Sequence, residues 1–331
     1  MLKRCSRRSV QQHLNELPDS LDETYERVLD GIQEPKRGDV QRLLQCLAVA
    51  VRPLHVDEAA AILTFDPSAI EGEVSTLDAD PQPEEEERKV LSACPILITI
   101  VDNHNSRLVV FSHSSVKEFL TGDRLSSSRY HILPEAAHIV LAQLSLRILL
   151  RLDRRIDRRN VKKIPLAQYA ARYWVSHAQF GSVSSRVMDA MKILFDSDRP
   201  HFAAWVRIYD IDSPACWCSR WNAQRPLYYS VICGFYDLVE HLVEKHSRHI
   251  NTIGGRHDYP LVAALHGGDI RVAELLRQHG ADLDVQGTKD GLLLHRAIEW
   301  PSNLAVGAAQ FLLTHGADLN ARRTDLSTVV I

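Results

Sequence analysis

"LLRQHGADLDV" (residues 275–285) and "LLTHGADLNA" (312–321) are nearly the same words, with Gly280 and Gly316 standing 36 residues apart. A fixed period of roughly 20 to 50 residues is the mark of stacked units, each of which hides its apolar side only against the next. The match extends outward. "RPLYYSVICGFYDLVEHLV" (225–243) aligns with "YPLVAALHGGDIRVAELLR" (259–277), placing Leu227 and Leu261 34 apart, and Leu294 in "LLHRAI" follows 33 later. Turn residues keep the same register, with Asn251, Asp284 and Asn320 separated by 33 and 36. Three extra residues around "EWPSN" (299–303) account for the longer last interval. They fall between the two helices of the third unit, where an insertion only lengthens a loop.

Each recurring letter of the period has a physical job. Gly280 and Gly316 follow the second helix of a unit, where a left-handed residue satisfies dangling carbonyls and only glycine enters without steric cost. His279 and His315 stand in the last helical turn, a good place for a polar donor at the negative end of the dipole. Ala281 and Ala317 are small where neighbours stack. The text from 225 to 331 resembles the ankyrin repeat, with its Pro-Leu-His-x-Ala, Gly, Leu-Leu and Gly-Ala-Asp-x-Asn signature. The repeats are degenerate, since the usual Thr-Pro is Arg225-Pro226, Tyr259-Pro260 and Leu292-Leu293. A fourth unit opens at "TDLSTVVI" (324–331) without a polar cap for its apolar face, so either more protein or a truncated gene model is expected there.

The resemblance implies a protein partner held by a concave surface of finger tips and first-helix residues. The fingers are Arg256, His257, Asp258 and Tyr259, then Gln286, Thr288, Lys289 and Asp290; the concave positions are Ile232, Cys233, His266 and Glu299, with Trp300 beside them. Trp300 has two readings. A large aromatic in a groove is the type that most often dominates binding, and the same side chain could instead fold over the adjacent insertion.

Composition sets the outer limits. A chain of 331 residues with 45% hydrophobic and 24% charged residues is an ordinary globular protein of about two or more domains. A net charge of -3 gives no global pull toward nucleic acid or anionic lipid. Six scattered cysteines do not make a disulfide framework, which fits a reducing compartment. "MLKRCSRRSVQQHL" lacks the apolar run of a secretory signal. "HIVLAQLSLRILLRL" (138–152) is interrupted by Gln143, Ser145 and Arg147 and falls short of the roughly 20 apolar residues of a membrane span. It reads as a core helix, and the chain as cytoplasmic with no membrane partner.

In the N-terminal half, "LPDSLDETYERVLDGI" (17–32) opens with Ser20 and Glu23 in capping-box spacing and lines up Leu21, Tyr25, Val28, Leu29 and Ile32 on one helical face. "DVQRLLQCLAVAV" (39–51) does the same with Val40, Leu43, Leu44, Leu47 and Val51 until Arg52-Pro53 ends it. An extended "RPLH", helices at 56–63 and 85–93, and strands at 96–101 and 107–113 follow. That order is a winged helix. DNA reading by its third helix is disfavoured, because eight acidic residues and no Lys or Arg lie between Glu71 and Glu87.

"LPDSLDETYERVL", "AVRPLHVDEAAAIL", "VVFSHSSVKEFLTGDRL" and "IPLAQYAARYWVSHAQF" (164–180) are similar to the region after the nucleotidase core of fungal NACHT-type signal-transduction proteins of the STAND class. The resemblance implies a winged helix that packs on a nucleotide-binding core, and a place for His113 toward a bound diphosphate. The residues themselves give a second reading, in which His113 ends a strand and caps the helix after it. No G-x-x-x-x-G-K-[ST] occurs, so this sequence holds no phosphate cradle of its own and no cofactor is expected.

Helices at 135–152, 165–178 and 183–195 make a spacer, with Tyr169, Tyr173, Trp174, Phe195, Phe202 and Trp205 as its core. "RLDRRIDRRNVKK" (151–163) reads as a solvated helix end, because Asp153 and Asp157 dilute seven basic residues. Cys216, Cys218 and Cys233 lack the second close pair of a zinc site, and no G-x-S-x-G elbow frames a catalytic serine. The whole is a mainly α protein: a winged-helix region at 1–125, a helical spacer at 126–220 and about three ankyrin repeats at 221–331. It reads as a non-catalytic interaction module, with the regulatory fragment of a P-loop NTPase and nucleic-acid binding as alternatives and no small-molecule substrate.

Overall fold

A computed structural model describes residues 20–65, 83–103, 106–123, 129–156, 160–212, 225–287 and 291–318. The chain forms two compact units, 1–140 and 141–331, and the division falls within helix α6 (Pro134–Leu149). Helix α6 is the apolar stretch that sequence reads as a core helix, and Ala137, Leu141, Ala142, Leu144, Leu146 and Leu149 along it are buried. No helix among the described residues is long and apolar enough to cross a membrane.

The first unit has the winged-helix order. Helix α1 (Leu21–Asp30) starts where Ser20 accepts the Glu23 N–H, one half of the expected box. Helix α2 (Arg37–Val49) buries Val40, Leu43, Leu44 and Cys46. Strand β1 (Leu54–His55) leads directly into α3 (Val56–Leu63). The turn between α2 and β1 is fastened by Arg52, whose guanidinium donates twice to Glu58 at 2.8 and 2.6 Å, while Glu58 also accepts the His55 N–H at 2.8 Å. Glu58 is buried, so this bidentate pairing is what makes its charge tolerable.

Helix α4 (Pro83–Ala93) precedes the wing, strands β2 (Ile98–Asn103) and β3 (Ser106–Phe111). The sheet order is β1-β3-β2, antiparallel throughout, with Leu54 opposite Val109 and Ile100 opposite Val109 on the other side. Alternation puts Ile98 and Val109 inside with Leu54 and Leu97. Helix α5 (Ser114–Thr121) closes the unit, with Tyr25 of α1 bonded to Ser115 at 2.9 Å and packed on Phe119 with ring centres 5.3 Å apart. Two residues assigned to inner helical faces, Leu21 and Val51, are exposed instead. Periodicity names a face; it does not say what covers its ends.

The second unit begins with an aromatic core. Helices α7 (Ala167–Ala178), α8 (Val183–Arg186), α9 (Met188–Leu194) and α10 (His201–Ile208) converge on Trp174, whose ring meets Phe195, Trp205 and Phe235 at 6.1, 5.4 and 5.6 Å. Trp205 donates its indole N–H to the Ala171 carbonyl at 2.8 Å. The expected helix at 183–195 is two, broken at Val187, whose φ of -117° leaves the helical range. Helix α10 spans about two turns, too few for periodicity to declare it.

Helix pairs follow: α11 (Pro226–Ile232) with α12 (Tyr236–Lys245), α13 (Pro260–His266) with α14 (Ile270–Gln278), and α15 (Leu293–Ile298) with α16 (Ser302–Thr314). Strands β4 (Gln286–Gly287) and β5 (Gly291–Leu292) form the base of the last finger. Phe202 and Trp205 of α10 pack on Tyr229 of α11 at 5.4 and 6.2 Å, so the spacer covers the first pair as a further repeat would.

The repeat register is written in hydrogen bonds. Asn251 donates to the Gly280 carbonyl at 2.9 Å and accepts the Asp282 N–H at 3.0 Å; Asp284 accepts the Asp318 N–H at 3.0 Å. Each turn residue therefore ties its own repeat to the next. Gly280 and Gly316 take φ of 94° and 86°, and the following Ala281 and Ala317 donate back to Leu276 and Leu312. His279 donates its ring N–H to the Leu275 carbonyl at 2.9 Å, the service expected of it.

Candidate functional site

The best-defined surface lies on the finger between α12 and α13 and the helix ends beside it. Gly254 and Gly255 pass against the Tyr228 ring so closely that a side chain on Gly254 would collide with it. Tyr228 donates its hydroxyl to Asp212 at 3.2 Å and accepts the His257 N–H at 3.0 Å, while the Arg256 N–H reaches the same Asp212 carboxylate at 2.5 Å. Arg225 adds a bond to the Gly254 carbonyl at 3.3 Å. Burial and the neighbouring Asp212 and Asp258 carboxylates hold the Tyr228 phenol far above its ordinary range, so it stays a donor. Sequence reasoning missed Asp212 and Tyr228. Their only signal was an aspartate just before a stretch without a motif.

Asp258 closes the finger. It adopts φ of 63°, in the left-handed region that aspartate enters more easily than most residues, and its carbonyl accepts the Gly254 N–H. Its buried carboxylate meets Arg296 of α15 at 3.0 Å. One ion pair thus joins the second repeat's finger to the third repeat's first helix.

Over that base three rings line up. His257 and His266 have centres 4.3 Å apart, and His266 meets the Trp300 ring edge-on at 5.1 Å. Burial, then His266, Arg256 and Arg296, lower the His257 pKa to about 4; burial and the same two arginines lower that of His266. Both imidazoles are therefore neutral near pH 7, and the field around them is positive.

The other sequence candidates divide. Arg256 and Glu299 are exposed, and Tyr259 and Ile232 are half-buried. Cys233 is 0% exposed, its thiol pushed up by burial, and so offers nothing to a partner: the first-helix residue that spacing placed on the groove points into the core. Gln286 belongs to β4, while Thr288, Lys289 and Asp290 lie outside the described residues. Trp300 neither stands alone in a groove nor merely covers its insertion; it packs on His266 of the preceding repeat.

In the first unit, His113 caps α5, its Nδ1 accepting the Ser115 N–H at 3.2 Å and meeting the Ser115 hydroxyl at 2.7 Å. This is the capping reading of the residue. Glu84 and Glu85 of α4 are exposed, and Glu87 pairs with Arg107 of the wing at 2.6 Å. Cys46, Cys94 and Cys233 are buried free thiols, and no cluster of metal-ligating side chains occurs among the described residues.

Two domain types are defined by comparison with known families. Residues 227–323 match ankyrin repeats, in three copies, and residues 25–131 match the winged helix domain of GPI inositol-deacylase. A relative, the "Azaphilone pigments biosynthesis cluster protein L" of Monascus ruber, is 30% identical over 303 residues, covering 82% of this chain and 61% of the relative. The chain thus spans about three-fifths of that relative's length. No solved structure matches it significantly.

Proposed function

We propose that the chain is a non-catalytic protein-interaction module, the sensor or regulatory end of a NACHT-like signal-transduction protein, acting in the cytoplasm. Its winged-helix region spans 1–125, its spacer 126–220 and its repeats 221–331. The observation that carries the reading is the convergence of His257 from the finger before α13, His266 at the end of α13 and Trp300 of the following repeat on one accessible face beside exposed Arg256. The finger is already fixed by Asp212, Tyr228 and Asp258, so little loop ordering is needed to bind. Ile232, Tyr259 and Glu299 border the face, and Lys289 and Asp290 belong to the next finger.

The test is capture of a partner by the full chain and by its Trp300→Ala variant. Loss of capture with the variant, at least tenfold, is expected of a central aromatic. Equal recovery by both removes Trp300 from the site.

The winged-helix match supports a second reading, in which this region restrains a P-loop NTPase core carried elsewhere. Adding the chain to such a core, encoded upstream in the reading frame, is expected to lower its nucleotide turnover. The exposed Glu84 and Glu85 argue against nucleic acid, and no DNA shift is expected even at low salt.

A further inference from the structure

The interaction reading leaves the partner's chemistry open, and the charges around the two imidazoles narrow it. Facing them are Arg256, next to His257 on the finger, Arg296 from α15, and Asp258, which is buried and paired with Arg296. Glu299 is exposed at the end of α15. Asp212 lies at the base of the same finger, taken up by the Tyr228 hydroxyl and the Arg256 N–H, and Arg225 sits there on the Gly254 carbonyl, so the charges acting on the imidazole rings are mainly the Arg256 and Arg296 guanidinium groups. Trp300 supplies the apolar floor beside it.

Resting on the interaction reading above, we infer that the His257–His266–Trp300 face docks an acidic segment of a partner protein, Arg256 and the imidazoles meeting its carboxylates and Trp300 an adjoining apolar side chain, with binding that tightens as the pH falls. Charge-assisted bonds of this kind are the strong ones, and a carboxylate at hydrogen-bond distance acts against the burial and the arginine charges that keep the imidazoles neutral. The sign follows from the linkage between protons and binding. In the free protein His257 takes a proton only near pH 4. If the bound carboxylate returns it to the ordinary value of about 6.5, the complex takes up a proton that the free chain does not, and affinity rises about tenfold between pH 7.5 and 5.5. Glutamate carboxylates remain mostly ionised over that window.

The experiment uses the full chain and two fluorescein-labelled peptides, Glu-Glu-Leu-Phe-Glu-Glu and its isosteric Gln-Gln-Leu-Phe-Gln-Gln, followed by anisotropy at pH 7.5 and 5.5. The acidic peptide is expected to bind more tightly than the amide at both pH values and about tenfold more tightly at pH 5.5 than at 7.5. Arg256→Ala, at an exposed position, should weaken it several-fold at either pH. The double variant His257→Gln, His266→Gln should still bind it but with no pH dependence beyond that of the peptide, its fold checked by circular dichroism. Equal binding of both peptides, an unchanged pH slope in the double variant, or no binding of either peptide overturns the inference. Equal binding that Trp300→Ala abolishes would leave the interaction face standing and remove only its acidic preference.

Discussion

Leu265 and Ile298 hold the same place in successive repeats, 33 residues apart, and Val231 holds it in the repeat before. Val231 and Leu265 are 6% and 1% exposed; Ile298 is 64% exposed. The letters are equivalent and the environments are opposite. Helix α13 is flanked by α11 on one side and α16 on the other, whereas among the described residues α15 packs chiefly on α16 and β5, with Arg296 reaching back to Asp258 of the preceding finger. A repeat array stabilises each unit through its neighbours, so a residue's worth depends on which neighbours are present.

The comparison can be broken most severely at the tie between repeats. Asp258→Ala strands Arg296 without its counter-charge in a mostly buried site, and a loss of about 3 to 5 kcal/mol is expected in urea unfolding. Asp258→Asn should recover part of this by keeping a hydrogen-bond acceptor. Next is the pair of positions itself. Leu265→Ala is expected to cost about 2 to 5 kcal/mol, and Ile298→Ala less than about 0.5 kcal/mol. Similar losses at both would mean that something covers Ile298 in solution.

A smaller effect separates the turn residues. Among the described residues Asn251 makes two bonds to the following turn and Asp284 one, so Asn251→Ala should cost about 1 to 2 kcal/mol and Asp284→Ala about half of that. A further effect is a pH dependence. The folded chain holds His257 near 4, below its value of about 6.5 when unfolded, so its contribution to stability is present above pH 6.5 and is lost as the pH falls toward 4. The melting temperature of His257→Gln should therefore fall less steeply across that window than that of the parent chain. Parallel curves would show that His257 is not shielded as described.

How much of this could be read from the letters follows from how local each feature is. The turn register was legible, because Asn251 and Asp284 recur at the repeat spacing, and so were Gly280 and Gly316, since a helix end needs its left-handed residue wherever it occurs. The winged-helix order was legible too: α3 falls on 56–63 as read, with its start fixed by Glu58 three residues after His55. Helix α10 was not, being too short to show a period, and neither was the hold of Asp212 on a finger 44 residues away.

Sequence by itself thus determined the period, the helix pairs and the residues that end them, since capping, turn formation and amphipathic spacing act within a few residues. Only the tertiary structure decided that Cys233 turns inward, that Ile298 is exposed while Leu265 is buried, and that His257, His266 and Trp300 form one face. Those outcomes depend on which surface the next helix pair presents, and burial, unlike helix propensity, is a property of neighbours brought together across 30 or more residues.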